Sequence, residues 1–505
     1  MAPAAGALLV VGATSGAGKS TVTAGLCRSF ARSGSSVAPF KAQNMSNHSA
    51  VAVDGGEVGR AQATQAAAAG IDVETAMTPI LLKPSSTTGS HVVVLGREVD
   101  RTDAAGWGDR ARALRPVVLD ALTSLRHRFD VVIAEGAGGA AEINLLDRDL
   151  VNLPLARAAG IPAILVVDIE RGGAFAAAHG SIDLLPAELA ATVRGIVLNR
   201  FRGDPALLGD GLADLEARTG VPVLGVLPHL GPAALLGTED SLDVGSTVDV
   251  DRPGSVDPVR VAAVHLPHLA NPSDLDPLVA EPDVVVRWVT RPGDLADADL
   301  VVVPGSRATV ADLDWLRRTG IADALRSARD RGTDIVGICA GQQVLGRRIT
   351  DGVESGAGTV DGIALLDVET TFEPEKVVRR RTGRAHAGEP VVGYQIHLGR
   401  ARGSDPWLEL DDPDGPEPEG SAASRGRVRG TSLHGLFDAD GLRAAILSDV
   451  AERRGRTFAP HPTAFADRLE AQHERLADWI DAHLDTETVR DLVSSAVRPG
   501  QEPGW

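Results

Sequence analysis

The sequence predicts an α/β protein: two parallel-sheet domains followed by a helical C-terminal tail. Three observations carry this. The chain has 505 residues, more than the roughly 100–200 of an ordinary domain, so about two to four units are expected. Apolar runs rich in β-branched residues recur along it, bounded by Gly or Pro and separated by helical stretches, which is the pattern of strands buried on both faces of a parallel sheet. Hydrophobic residues at 43% and charged residues at 23% match folded proteins rather than disordered or membrane-embedded ones.

Taken in order, the predicted strands of the first half are Leu8–Val11, Val131–Ala134, Ala163–Val167 and Gly195–Leu198. Those of the second half are Val259–Val264, Leu300–Val303 and Ile335–Ile338. Between them, residues 237–257 are acidic, rich in Gly and Ser, and carry no helical apolar stripe, so they read as a linker. This divides the chain into a first domain at 1–236 and a second at 258–441. A stretch from Asp411 to Gly426, dense in Asp, Pro, Glu and Gly, reads as a surface insertion in the second domain. In the tail, 442–505, Phe465, Leu469, Leu476, Trp479, Ile480 and Leu484 fall at helical spacings. The tail is therefore expected to be helical and packed on the second domain.

The net charge of −18 argues against nucleic acid or an anionic membrane surface as partner, since both reward a basic face. Of 50 cationic residues only Lys19, Lys41, Lys83 and Lys376 are lysines. The two cysteines, Cys27 and Cys339, form neither a disulfide framework nor a metal-ligand spacing, and a reducing cytoplasm is the expected compartment. The first apolar run is too short for a signal peptide, and none approaches the roughly 18 residues of a membrane span.

Directly after the first strand stands Gly12-Ala-Thr14-Ser15-Gly16-Ala-Gly18-Lys19-Ser20-Thr21, opening a helix. Glycines let backbone N–H groups wrap phosphates, the helix N-terminus adds its dipole, Lys19 reaches the β/γ oxygens and Ser20 can ligate Mg²⁺. The pattern points to ATP or GTP, although five residues rather than four separate Gly12 from Gly18. Such a loop needs a carboxylate at the end of a neighbouring strand for Mg²⁺, and Glu135 stands there, followed by glycines. Asp54 and Glu57 are second candidates for metal or substrate, with a solvated loop as the alternative.

In the second half, Asp334-Ile-Val-Gly337-Ile-Cys339-Ala340-Gly341 reads as strand, sharp turn and helix. Small residues two before and two after a nucleophile permit the elbow that exposes it at a helix N-terminus, where the dipole favours the thiolate. The N–H of Ala340 would donate to an oxyanion, with Gly305 of the Pro304-Gly305-Ser306 turn supplying the second donor. A thiol nucleophile needs a base, and His434, at the end of a short apolar segment, is the candidate. Cys27, on the helix after the phosphate loop, reads as core.

With Pro39-Phe-Lys41-Ala-Gln43-Asn44-Met45, Asp54-Gly-Gly-Glu-Val-Gly-Arg-Ala-Gln62, Ala141-Glu-Ile-Asn144, Leu198-Asn199-Arg-Phe-Arg-Gly-Asp204, Asp299-Leu-Val-Val-Val-Pro-Gly-Ser306 and Gly393-Tyr-Gln-Ile-His397, the chain resembles the cobyric acid synthase family over nearly its whole length. These are glutamine-dependent enzymes of cobalamin biosynthesis. The resemblance implies a dethiobiotin-synthetase-like P-loop domain, a class I-like glutamine amidotransferase domain, and the use of ATP, Mg²⁺ and glutamine. It implies amidation of the b, d, e and g carboxylates of adenosylcobyrinic acid a,c-diamide through acyl phosphates. It also implies that Lys41, Gln43 and Asn44 contact substrate or phosphate and that Asn199 lies at a base-recognition position. Class I glutaminases carry Glu two residues after the catalytic His. Here that position is Leu436, a gap that the family shares and that leaves the group orienting His434 unidentified. Arg379, Arg380, Arg381 and Arg384 could steer a polyanionic substrate or form a solvated face, and Lys83 and Lys376 have no assigned role. Two rival readings remain at this point: a cobyrinic acid a,c-diamide synthase, and a P-loop switch with an inactive amidase domain.

Overall fold

The computed structural model describes residues 6–84, 89–103, 106–231 and 257–505, so most of the expected linker, 237–256, lies outside the described residues. The chain forms two compact units, one of residues 1–46, 52–242 and 470–505, the other of 47–51 and 243–469.

The first unit is built on a six-stranded parallel sheet in the order Val223–Pro228, Val193–Phe201, Ala163–Asp168, Gly6–Gly12, Val131–Glu135, Val37–Phe40. All four predicted runs of this half are strands of it. The strand Gly6–Gly12 is buried along its whole length, which is why it is apolar throughout rather than alternating. It feeds the helix Lys19–Arg32, whose Val22, Leu26, Cys27 and Phe30 pack with Leu8 and Val10. A small four-stranded sheet, Gln43–Met45, Ile80–Pro84, Gly89–Val94 and Arg97–Asp103, belongs to the same unit. Buried Lys83 pairs there with buried Glu57, which gives that lysine a structural role.

The second unit holds a six-stranded sheet in the order Val284–Val289, Val259–Val264, Leu300–Val303, Asp334–Ile338, Val428–Thr431, Ser421–Ala423, parallel except for the last strand. A second sheet is dominated by an antiparallel ribbon of Val368–Ala385 with Pro390–Gly403, which the sequence reading did not anticipate. The stretch 411–426 is largely exposed from 411 to 418, as expected of a surface insertion in this unit, but it carries two short strands that were not expected. Leu408–Leu410 pairs with Glu417–Glu419, and Ser421–Ala423 edges the parallel sheet. An edge strand leaves one row of backbone groups unpaired, so Pro418 and flanking glycines are tolerated there.

The tail corrects a further expectation. Its first helix, Asp440–Arg454, places Leu442, Ile446, Leu447 and Val450 in the core of the second unit. From residue 470 the chain belongs to the first unit instead, and Leu476, Trp479, Ile480, Leu484, Val489 and Val493 complete that core. Gly25 of the helix Lys19–Arg32 leaves room for Ile480, whose Cγ1 would stand 2.6 Å from a Cβ at that position. Trp479 Nε1 donates to Pro228 O at 3.0 Å. An apolar stripe specifies that a face is buried, not which surface covers it.

Candidate active sites

In the first unit the phosphate loop leaves the central strand at Gly12 and enters its helix through Gly16 and Gly18, both at positive φ. A Cβ at Gly12 would stand 2.8 Å from Thr14 O, so the tight loop requires glycine there. Lys19 is fully buried beneath it, its Nζ donating to Thr14 O at 3.4 Å and Gly138 O at 3.1 Å. Thr14 and Ser15 at the crown are exposed, while Gly16 and Thr21 are half-buried. Asn199 donates from Nδ2 to Ala17 O at 2.8 Å and would collide with any Cβ at Gly18. Asn199 therefore braces the loop itself.

Glu135 ends the strand next to Gly6–Gly12, in register with Val10. Its Oε1 accepts from Ser20 Oγ at 2.8 Å and from Lys41 Nζ at 2.8 Å, and its Oε2 accepts from Gln65. Ser20 and Glu135 thus offer a hydroxyl and a carboxylate at one point, the hard oxygen donors Mg²⁺ takes alongside phosphate and water. That donor set fits the metal. Asp54 does not join it, because its exposed carboxylate accepts from Thr75 N and Oγ1. Asn44 bonds Gln62 at 3.5 Å, and Gln43 is half-buried on the strand beside it. Cys27 is core, its thiol pushed up by burial and then by the Glu135 charge.

In the second unit Cys339 sits between the strand Asp334–Ile338 and the helix Ala340–Leu345 with φ 53°. A side chain in this left-handed region is strained by about 1–3 kcal/mol and persists where the surroundings hold it. They do so here: a Cβ at Gly337 would stand 2.7 Å from Gln342 N, and one at Gly341 would collide with Val303 O. Cys339 N also donates to Thr431 O at 2.7 Å. The thiol lies 3.9 Å from Ile396 O.

His434 faces it. Nδ1 donates to Asp274 Oδ2 at 2.7 Å, and Asp274 Oδ1 accepts from Gly435 N at 2.9 Å. Burial alone would lower the His434 pKa, but the charges of Asp274 and Cys339 and their hydrogen bonds carry it up to about 10. The ring is therefore an imidazolium at neutral pH, with Asp274 as the orienting group that position 436 lacks; Leu436 is buried core. Tyr394 stacks on the imidazole at 5.2 Å and 18°, and the two residues exchange backbone hydrogen bonds. A Cβ at Gly305 would stand 3.0 Å from His434 Cε1 and 3.8 Å from Cys339 Cβ. The Gly305 backbone and Ala340, first residue of the helix, thus both adjoin Cys339. His397 is held down at about 4 by burial and the nearby Arg400 charge, against its 2.8 Å bond to Gly399 O. It is neutral, and its Nε2 has no partner among the described residues.

Neither Asp274 nor the role of Tyr394 was found from the sequence, because Asp274 precedes His434 by 160 positions in a short Asn-Pro-Ser-Asp turn without local signature. Of the arginine cluster, Arg381 is buried on Glu417, Arg380 bonds Val51 O, and Arg384 is exposed. Arg200 and Arg202 are tied to Asp168 and Glu170.

Residues 8–232 match the CobQ/CobB/MinD/ParA nucleotide binding domain and residues 260–442 the CobB/CobQ-like glutamine amidotransferase domain. Relatives named cobyric acid synthase align over 98% of this chain: 48% identical in Frankia casuarinae over 98% of that protein, 49% in Rhodococcus jostii over 97%, and 47% in Streptomyces coelicolor over 98%. The chain belongs to the cobyric acid synthase family. In this cobyric acid synthase family member the group Lys19, Ser20, Lys41 and Glu135 falls within the nucleotide-binding match, and the group Asp274, Gly305, Cys339 and His434 within the amidotransferase match.

Proposed function

We propose that the protein amidates the b, d, e and g side-chain carboxylates of adenosylcobyrinic acid a,c-diamide, using ATP to activate each carboxylate and glutamine to supply ammonia. The observation that carries this reading is the presence of two assembled centres in a chain that aligns with cobyric acid synthases over 98% of its length.

A carboxylate is a poor electrophile. Attack of its oxygen on the γ-phosphorus of ATP breaks the bond to ADP and leaves an acyl phosphate, from which ammonia then displaces phosphate to give the amide. The loop amides and Lys19 bind the phosphates, while Ser20 and Glu135 would hold Mg²⁺, which supplies charge neutralisation to them when bound. Lys41, fixed on Glu135, places a second cation where the carboxylate and phosphate meet. At the other centre the Cys339 sulfur attacks the side-chain carbonyl of glutamine, and Ala340 and Gly305 donate to the oxyanion. His434 gives its Nε2 proton to departing ammonia, and water then frees glutamate from the thioester. The neutral ring left behind recovers its proton from that water, and Asp274 holds Nδ1 in both states. No helix among the described residues is long and apolar enough to cross a membrane; with ATP and glutamine as co-substrates and free cysteines, we place the enzyme in the cytoplasm.

The test is incubation with ATP, Mg²⁺, glutamine and the corrinoid diamide, read by mass. Four amidations are expected. Amidation at two positions, starting from cobyrinic acid, would identify an a,c-diamide synthase, and ATP hydrolysis without any amide product would identify a switch.

A further inference from the structure

Residues 47–51 belong to the second unit, although the residues before and after them, through Ser46 and from Ala52, belong to the first. The excursion is short and well anchored. Ser49, Ala50 and Val51 are all buried. Ser49 N donates to Asn271 Oδ1 at 2.8 Å, and Val51 O accepts from Arg380 Nε at 3.0 Å. The Val51 side chain forms a small apolar cluster with Val378, Tyr394 and Ile396.

Three of these anchors, Asn271, Tyr394 and Ile396, adjoin the glutaminase centre. Asn271, itself at φ 51°, caps the turn Pro272–Leu275 that carries Asp274, and its carbonyl accepts from Asp274 N at 3.1 Å. Asp274 orients His434. Tyr394 stacks on His434, and Ile396 O lies at 3.9 Å from the Cys339 sulfur. The strand carrying Tyr394 approaches so closely that Gly393 has no room for a Cβ beside His434 O. Ser49 and Val51 thus touch what holds His434 and what lies beside the nucleophile. Covalently, residues 47–51 form the middle of the stretch 46–53 that joins Lys41–Met45, with its Glu135-bound lysine, to Asp54–Gln62.

We propose that residues 47–51 are a coupling strap that makes glutamine hydrolysis depend on occupancy of the carboxylate-activating centre, through Asn271 on one side and Tyr394 and Ile396 on the other. This rests on the functional reading above. When substrate and nucleotide engage Lys41–Asn44, the chain beyond Met45 shifts the backbone of Ser49 and the side chain of Val51. The His434 ring and the Ile396 carbonyl then take their productive positions. Ammonia is thereby released when an acyl phosphate is there to receive it, and glutamine is spared otherwise.

The experiment measures glutamate release by the full-length protein with and without ATP, Mg²⁺ and the corrinoid diamide, and in parallel amidation driven by ammonium chloride. Wild type is expected to show ligand-stimulated glutaminase. Val51→Ala, which removes the apolar contact, should lower the ratio of stimulated to unstimulated rate by about 5-fold or more, the size of an ordinary coupling free energy, while ammonia-driven amidation stays within about twofold. Asn271→Gly keeps the left-handed backbone and deletes the acceptor for Ser49. It should lower the same ratio by about 5-fold or more, with ammonia-driven amidation reporting that the protein is folded. Wild-type ratios in both variants would overturn the strap, as would equal glutaminase rates with and without ligands in the wild type. Absence of ammonia-driven amidation in the wild type would instead overturn the functional reading and the strap with it.

Discussion

At His434 the opposing effects have a clear order: burial disfavours the charged ring, yet Asp274 and Cys339 lift its pKa to about 10. A catalytic step that needs the imidazolium is therefore retained across neutral pH and lost only on the alkaline side of that value. Asp274→Asn removes the charge that stabilises the cation, so the alkaline limb of the glutaminase pH profile should move down by more than one unit. The rate at neutral pH should fall about 10²-fold or more, while ammonia-driven amidation is unchanged. The same ring contributes stability that is fully present below its unfolded value of 6.5 and is lost as pH rises through about 10. At the other centre, Lys41 is buried against Glu135. Lys41→Met should reduce amidation with either nitrogen source by about 10²-fold and leave unstimulated glutamine hydrolysis in place. Cys27 and Cys339 are both buried, but burial and the Glu135 charge push the Cys27 thiol up, whereas Cys339 stands at the elbow that opens the helix Ala340–Leu345. Iodoacetamide should therefore label Cys339 alone in the folded protein, as peptide mapping would show.

Elements of the same type differ in how far their residues announce them. The strand–loop–helix at Gly12–Thr21 and the elbow at Cys339 were legible because each needs a fixed local order of glycine, reactive residue and helix. The ribbon Val368–Ala385 with Pro390–Gly403 was not, since its charged and β-branched residues alternate without a turn signature strong enough to set its length. The C-terminal helices were legible as helices but not in their partner. Their docking is dominated by Ile480 and Leu476, fully or nearly fully buried. The ion pairs of Arg28 with Glu474 and of Arg32 with Asp478 and Asp481 end on partly exposed carboxylates and contribute about 0–1 kcal/mol each. Ile480→Ala should cost about 2–4 kcal/mol in urea unfolding of the nucleotide-binding unit. Asp478→Ala should cost less than about 1 kcal/mol, and an equal loss in the two variants would contradict this ordering.

For the whole molecule, two centres with complementary chemistry stand in one chain, and the residues that define each were largely readable: Lys19, Ser20 and Glu135 at one, Cys339 and His434 at the other. What remained hidden is long-range. Asp274 meets His434 across 160 positions, and residues 47–51 join the second unit from within the first half of the sequence. Such pairings depend on where the fold brings distant turns together, which no local spacing encodes. The link between the two reactions is tested most directly by the Cys339→Ala protein, supplied with ATP, Mg²⁺, the corrinoid diamide and either glutamine or ammonium chloride, with products read by mass. The variant should form the amides with ammonium and none with glutamine, whereas undiminished glutamine-dependent amidation, or no amide with either source while the wild type makes it with both, would contradict two centres joined by ammonia.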